Sequence, residues 1–198
     1  MKVSDFELAR EVAYFMKRLY KQQLTTAAGG NVSFRRGDEV FITPGSVDNA
    51  RIETEEIGIL DLEGNILKNG FKPTAEAELH LSVYRSRPDV CAVMHAHPET
   101  ACAFAASGRE ISGKLLCESD VIPGKIGRVP YLAPGKQELA DAVGKAAKEH
   151  DVFLMNNHGV MALGTSLFQS FCRIEVLERA AKATLICEHL LKSGIYID

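Results

Sequence analysis

Residues 93–100, Val-Met-His-Ala-His-Pro-Glu-Thr, close an apolar run that begins at Val90. Five apolar residues, Val90 to Met94, suit a short buried strand. Residues two apart on a strand point to the same face. His95 and His97 therefore leave the strand end together. Two imidazoles on one rigid element supply two corners of a tetrahedral metal site, and a catalytic zinc takes a third protein ligand and keeps one position open. His158, in Asn-Asn-His-Gly-Val, is the candidate third ligand. It stands in a tight turn between two apolar runs, where Gly159 lets the backbone crowd close. Taken alone, an isolated His-x-His pair is a weak signal, and His158 by itself reads more readily as a turn residue bonded to backbone.

Other His-x-His architectures fit poorly. A cupin needs an acid further along than Glu99 and an all-strand sequence. An amidohydrolase barrel needs a chain longer than 198 residues. There is no H-E-x-x-H, the two-histidine helix of zinc peptidases. His80, His150 and His189 fall on predicted helices and read as structural.

Glu76 lies two residues after Thr74, the predicted cap of a helix opened by Pro73. An acid in a first turn ordinarily complements the helix dipole. The functional reading aims Glu76 into the metal pocket as a general base. Three further segments could hold an anion. Gly30 and Asn31 precede a strand, Gly45 and Ser46 follow the next, and Thr74 opens the helix. Glycines let backbone N–H groups approach a ligand, side-chain amides and hydroxyls add donors, and a helix N-terminus attracts phosphate.

The rest of the chain alternates hairpins and helices. Ser4 and Glu7 form a capping box for a helix ending near Leu24, with Phe6, Leu8, Val12, Phe15 and Leu19 on its inner stripe. A hairpin over residues 32–35 and 40–43 turns at Arg36-Gly37-Asp38, and a second turns at Glu63-Gly64-Asn65. A helix faces the core with Leu79, Val83 and Tyr84 and stops at Pro88. The His-x-His strand spans residues 90–94, and a helix covers residues 99–107. Residues 111–134 are irregular with short strands. A helix spans about 136–150, two strands meet at His158-Gly159, and a last helix runs from Thr165-Ser166 to Lys192, with Gly194 as terminator. This is an α/β pattern with a mostly antiparallel sheet, expected as one domain over residues 1–198.

A formal net charge of −3 without a basic run argues against nucleic acid. The early charges of the N-terminal segment argue against a signal peptide, and no stretch is long and apolar enough for a membrane span. Five scattered cysteines without C-x-x-C spacing read as reduced, mostly buried thiols of a cytoplasmic protein.

Taken in order, Gly-Gly-Asn-Val-Ser, Ile-Thr-Pro-Gly-Ser, Pro-Thr-Ala-Glu-Ala-Glu-Leu-His, His-Ala-His-Pro and Asn-Asn-His-Gly-Val resemble the class II aldolase/adducin family, closest to its L-fuculose-phosphate aldolases. The stretches over residues 82–98 and 130–143 are also similar, so the likeness covers most of the chain. The resemblance implies a three-layer α/β/α fold with a central, mostly antiparallel sheet. It also implies a homotetramer with active sites at subunit interfaces. Carried over, His95, His97 and His158 would bind one Zn2+, with another divalent metal as an alternative, and Glu76 would be the catalytic acid/base. Gly30, Asn31, Gly45, Ser46, Thr74 and Ala75 would bind substrate phosphate. The implied reaction is retro-aldol cleavage of a phosphorylated ketose, such as L-fuculose 1-phosphate, to dihydroxyacetone phosphate and an aldehyde through a metal-stabilised enediolate. Sugar-phosphate epimerase, decarboxylase or dehydratase chemistry is the alternative on the same scaffold. An adducin-type binding module would lack the three histidines.

Two departures stand out. Thr74-Ala75 replaces the Ser-Ser of the fuculose aldolases, which removes one hydroxyl. The region expected to carry their aldehyde-side tyrosine reads Gly-Lys-Leu-Leu-Cys-Glu-Ser-Asp-Val, without tyrosine.

Overall fold

The computed structural model describes residues 4–68, 70–122 and 124–196, apart from the side chain of His189. Among these, seven strands form one sheet: β1 (Asn31–Arg36), β2 (Glu39–Ile42), β3 (Gly58–Leu60), β4 (Ala92–Ala96), β5 (Gly127–Val129), β6 (Val152–Met155) and β7 (Gly159–Gly164). Their order is β3-β2-β1-β4-β7-β6-β5. Every pairing is antiparallel except β5 with β6.

Helices cover both faces, because each strand alternates its side chains between two apolar layers. On one face, α1 (Asp5–Lys21), α3 (Glu99–Ser107) and α5 (Leu167–Thr184) pack Val12, Phe104 and Phe171 against Val32, Met94 and Leu154. On the other, α2 (Ala77–Ser86) and α4 (Gln137–Ala147) pack Leu79, Val83 and Val143 against Val40, Val93 and Met161. The result is the expected three-layer α/β/α arrangement. Strands β4 and β7 run through its middle, with no solvent edge of their own.

Local signals explain most boundaries. Ser4 and Glu7 make the predicted capping box of α1. Ser166 caps α5 by accepting from the Gln169 N–H at 3.2 Å. Gly108 ends α3 with a left-handed φ of 72°.

Elsewhere the structure corrects the reading. Phe6 is 58% exposed, and the buried face of α1 recruits Ala9, Ala13 and Met16 instead. The His-x-His strand is shifted two residues, so His95 lies within β4 and His97 just beyond it. Thr74 does not cap α2. Its hydroxyl accepts from the Glu76 N–H at 3.3 Å and its carbonyl from the Ala77 N–H at 3.1 Å, which closes a separate turn before the helix starts at Ala77. The second hairpin returns only as a bridge between Leu60 and Ile66. Its turn is built by Asp61, which accepts from the Glu63 and Asn65 backbones. α5 passes at Leu185 into wider π-type turns, which end at Lys192 in a left-handed conformation (φ 54°) rather than at Gly194. Four cysteines are half-buried and Cys117 is exposed, so the expectation of mostly buried thiols does not hold; all five are free thiols.

Candidate metal centre

Three segments distant in sequence deliver the three imidazoles. His95 faces Asn31 across β1 and Met161 across β7, so its backbone is held on both sides. His97 leaves the strand and is tied by its N–H to the Leu24 carbonyl at 3.0 Å. His158 closes the β6–β7 turn by donating its N–H to the Met155 carbonyl at 3.1 Å, after Asn157 has taken a left-handed φ of 53°. One ring nitrogen from each histidine lies within 4.8 Å of the others. The ring centroids are 4.6 Å apart for His95 and His97, 4.9 Å for His95 and His158, and 6.1 Å for His97 and His158.

Two glycines make this closeness possible. A Cβ at Gly159 would stand 2.6 Å from Cδ2 of His97 and 2.7 Å from Cε1 of His95. A Cβ at Gly30 would meet the His95 carbonyl at 2.7 Å, and Gly30 also adopts a left-handed φ of 72°.

Glu76 completes the cluster. Its Oε1 lies 2.7 Å from Nε2 of His158, and its Oε2 lies 3.4 Å from Nε2 of His95 and 2.8 Å from the Asn31 amide nitrogen. The carboxylate is 15% exposed, His158 11% and His95 fully buried. Burial alone would raise the Glu76 carboxyl. Its electrostatic interaction with the adjacent His95, then hydrogen bonds from His158 and Asn31, outweigh it and hold Glu76 well below the usual carboxylate range. Burial pushes His97 down to about 4, so this ring is neutral near pH 7 with a lone pair to offer.

The donor set fits a divalent cation. His95 Nδ1 lies 2.9 Å from the Val160 carbonyl, which can only accept, so the proton of a neutral ring sits on Nδ1. Its Nε2 then turns a lone pair toward Glu76 and toward Nε2 of His97, 3.0 Å away. A buried lone pair facing a carboxylate is repulsive unless a proton or a cation lies between them. The backbone carbonyl on the far nitrogen is the usual device that orients a metal-binding imidazole. The buried Nδ1 of His158 has no hydrogen-bond partner among the described residues.

The anion-binding candidates converge in part. The Asn31 amide donates to Glu76 and, at 3.4 Å, to the Thr74 hydroxyl. Gly45 packs against Thr74, where a Cβ would sit 3.1 Å from the Thr74 Cα, and an isolated bridge pairs Pro44 with Pro73. Ser46, with a left-handed φ of 62°, and Ala75 are the exposed neighbours of this pair. Gly30 packs closely against the backbone of His95 and Ala96.

Sequence reasoning missed the layer behind Glu76. Glu76, His80 and Tyr84 follow one another at spacings of four, which places them on one side of a helical stretch. Asn31 and Ser33 alternate on one face of β1. These two periodicities interlock. His80 Nε2 is 2.5 Å from the Asn31 carbonyl oxygen, His80 Nδ1 is 2.6 Å from the Ser33 hydroxyl, and that hydroxyl is 2.7 Å from the Tyr84 hydroxyl. The signal was available as polar residues recurring on a helix face that otherwise enters the core.

Comparison with known proteins finds a family match and similar chains. Residues 10–185 match the family described as Class II Aldolase and Adducin N-terminal domain. An L-fuculose phosphate aldolase of Methanocaldococcus jannaschii is 36% identical over 170 residues, which cover 86% of this chain and 91% of that protein. A 3-oxo-tetronate 4-phosphate decarboxylase of Haemophilus influenzae is 31% identical over 173 residues, covering 84% of this chain and 81% of its own. A solved structure of an L-fuculose 1-phosphate aldolase superposes with a TM-score of 0.89 at 26% identity, over all of this chain and 92% of the other.

Proposed function

The chain belongs to the class II aldolase and adducin family, and on that premise we propose that it is a divalent-metal lyase that cleaves a phosphorylated ketose of the L-fuculose 1-phosphate type by a retro-aldol reaction. The observation that carries this reading is the convergence of three imidazoles on one point beside an ionised, half-enclosed carboxylate.

His95, His97 and His158 would hold the metal, with Zn2+ the first choice for an all-imidazole set, although such a set suits several divalent ions. When bound there, a divalent cation supplies Lewis-acid stabilisation of negative charge that develops on substrate oxygens. Glu76 would carry the proton to or from carbon. It is well placed for this, because it is close to the imidazoles yet keeps part of its side chain open to solvent. Asn31 fixes one carboxylate oxygen and leaves the other on the His158 side. Gly45, Thr74 and the backbone of Gly30, Ser46 and Ala75 would anchor the substrate phosphate, away from the bond that breaks. Anchoring a remote group positions the reacting carbon, which lowers the entropic part of the barrier.

The decarboxylase relative keeps a second reading open. Both reactions break a carbon–carbon bond next to a carbonyl and leave negative charge on the substrate, so the same residues would serve either. In both readings residues 1–198 act as one cytoplasmic domain; no helix among the described residues is long and apolar enough to cross a membrane. A tetramer with sites at its interfaces is the expected assembly. Exposed Phe6, Tyr14 and Phe168 offer apolar surface of the kind that subunit contacts bury.

The test is a product assay of the metal-loaded protein on a panel of ketose phosphates and 3-oxo sugar-acid phosphates. An aldehyde together with dihydroxyacetone phosphate supports the aldolase reading. Carbon dioxide release supports the alternative. Turnover of neither class overturns both.

A further inference from the structure

Behind Glu76 lies a closed run of hydrogen bonds whose protons can all be assigned. The Asn31 amide nitrogen donates to Glu76, and a carboxylate only accepts. The carbonyl oxygen of the same amide therefore faces His80 Nε2, so that nitrogen must be the donor. His80 is fully buried, and burial pushes its ring down to about 3. A neutral ring with its proton on Nε2 has a lone pair on Nδ1. The Ser33 hydroxyl donates to it and in turn accepts from the Tyr84 hydroxyl. Asn31, Ser33, His80 and Tyr84 are all at most 2% exposed, so water does not compete for these bonds.

We propose that His80 is a positioning residue: its Nε2–H holds the Asn31 carbonyl oxygen, and so turns the Asn31 NH2 toward Glu76 and Thr74. The importance of that orientation for turnover rests on the role proposed for Glu76. A flipped amide would set a carbonyl oxygen against a carboxylate oxygen, which is repulsive. It would also leave Nε2–H facing an NH2 group. The imidazole thus makes one of two isosteric amide orientations the only satisfied one. The arrangement acts through Asn31, since His80 itself contacts Asn31 and Ser33 rather than the carboxylate.

The experiment combines nitrogen-15 NMR of the full, metal-free chain with a double-mutant cycle. The His80 ring is expected to show a neutral imidazole protonated on Nε2 at pH 7. The Asn31 side-chain amide protons should exchange slowly in the wild type and in His80→Gln, which keeps a donor of similar reach, and quickly in His80→Leu. On the ketose phosphate that the wild type cleaves fastest, His80→Leu should lose about 10–100-fold in kcat, as outer-shell substitutions typically do. His80→Gln should stay within about threefold of wild type, and adding His80→Leu to Asn31→Leu should cost nothing further, since residues acting in series are not additive. A proton found on Nδ1, an Asn31 amide unchanged by His80→Leu, or fully additive losses would each overturn the proposal. If His80→Leu does not fold, the ring tautomer and the behaviour of His80→Gln decide it. If the wild type cleaves no compound in the panel, the lyase reading falls, while the two NMR measurements still decide the role of His80.

Discussion

Oε1 of Glu76 lies 2.7 Å from Nε2 of His158, although the two residues are 82 positions apart in the chain. No local signal could have placed them together. The contact joins the turn before α2 to the turn between β6 and β7, on opposite sides of β4. It puts a carboxylate at the open side of an imidazole cluster, and the first expectations follow from that placement.

Glu76→Gln should leave metal content unchanged and reduce kcat by about 10²–10⁴-fold, the range usual for loss of a positioned acid–base group. The amide is nearly isosteric, so folding should be unaffected. Metal analysis beside steady-state kinetics checks both halves. A variant with wild-type turnover would remove Glu76 from the mechanism.

Metal binding should stabilise the fold by mass action. At a free Zn2+ concentration of 100 times Kd the gain is about 2.7 kcal/mol. It should appear as a higher melting temperature that a chelator reverses. His95→Ala and His97→Ala should abolish the shift. Scanning calorimetry with and without metal measures it, and an unchanged shift in His95→Ala would show that the ion binds elsewhere.

Gly159→Ala should damage the centre without touching a ligand. The added methyl would meet both His95 and His97 and the Ala96 carbonyl inside van der Waals contact. Overpacking of this kind costs about 1–3 kcal/mol. The rings must also move apart, so metal affinity should fall together with stability. Competition against a zinc-sensitive dye gives the affinity, and urea unfolding gives the stability.

Acid should destabilise the metal-free protein before ordinary carboxylates titrate. His80 takes up a proton near its ordinary value of 6.5 when unfolded, and only near 3 when buried in the fold. Between those values the unfolded chain binds the extra proton, so stability falls as pH drops from about 6.5 toward 3 and is unaffected by this group above that window. The limiting slope is about 1.4 kcal/mol per pH unit. Urea unfolding at pH 7, 5.5 and 4.5 reads it, and His80→Leu should flatten the decline.

Much of this architecture could be read from local patterns. The capping box at Ser4, the glycine after α3 and the apolar runs around His158 each act within a few residues, so helix and strand positions follow from them. The three imidazoles were legible because His95 and His97 stand one residue apart at the end of a single apolar run and His158 sits in a glycine turn. What stayed hidden depends on partners far along the chain. Thr74 was read as a helix cap because hydroxyls usually fill that place, but its hydroxyl closes an earlier turn and accepts from Asn31. His80 was read as a core residue. It is one, but its partner Asn31 lies 49 positions away, and the link appears only once β1 packs against α2. Phe6 fell on the apolar stripe of α1, but the helix rotates Ala9 and Met16 inward instead, where smaller and more flexible side chains fill the layer.

β4 has three strands on each side of it. Opening that begins at either margin must peel away successive neighbours before it reaches His95. The strand that carries His95 should thus be among the last to exchange its amides with deuterium. The strand order thus keeps the coordination centre in register when the margins of the sheet loosen.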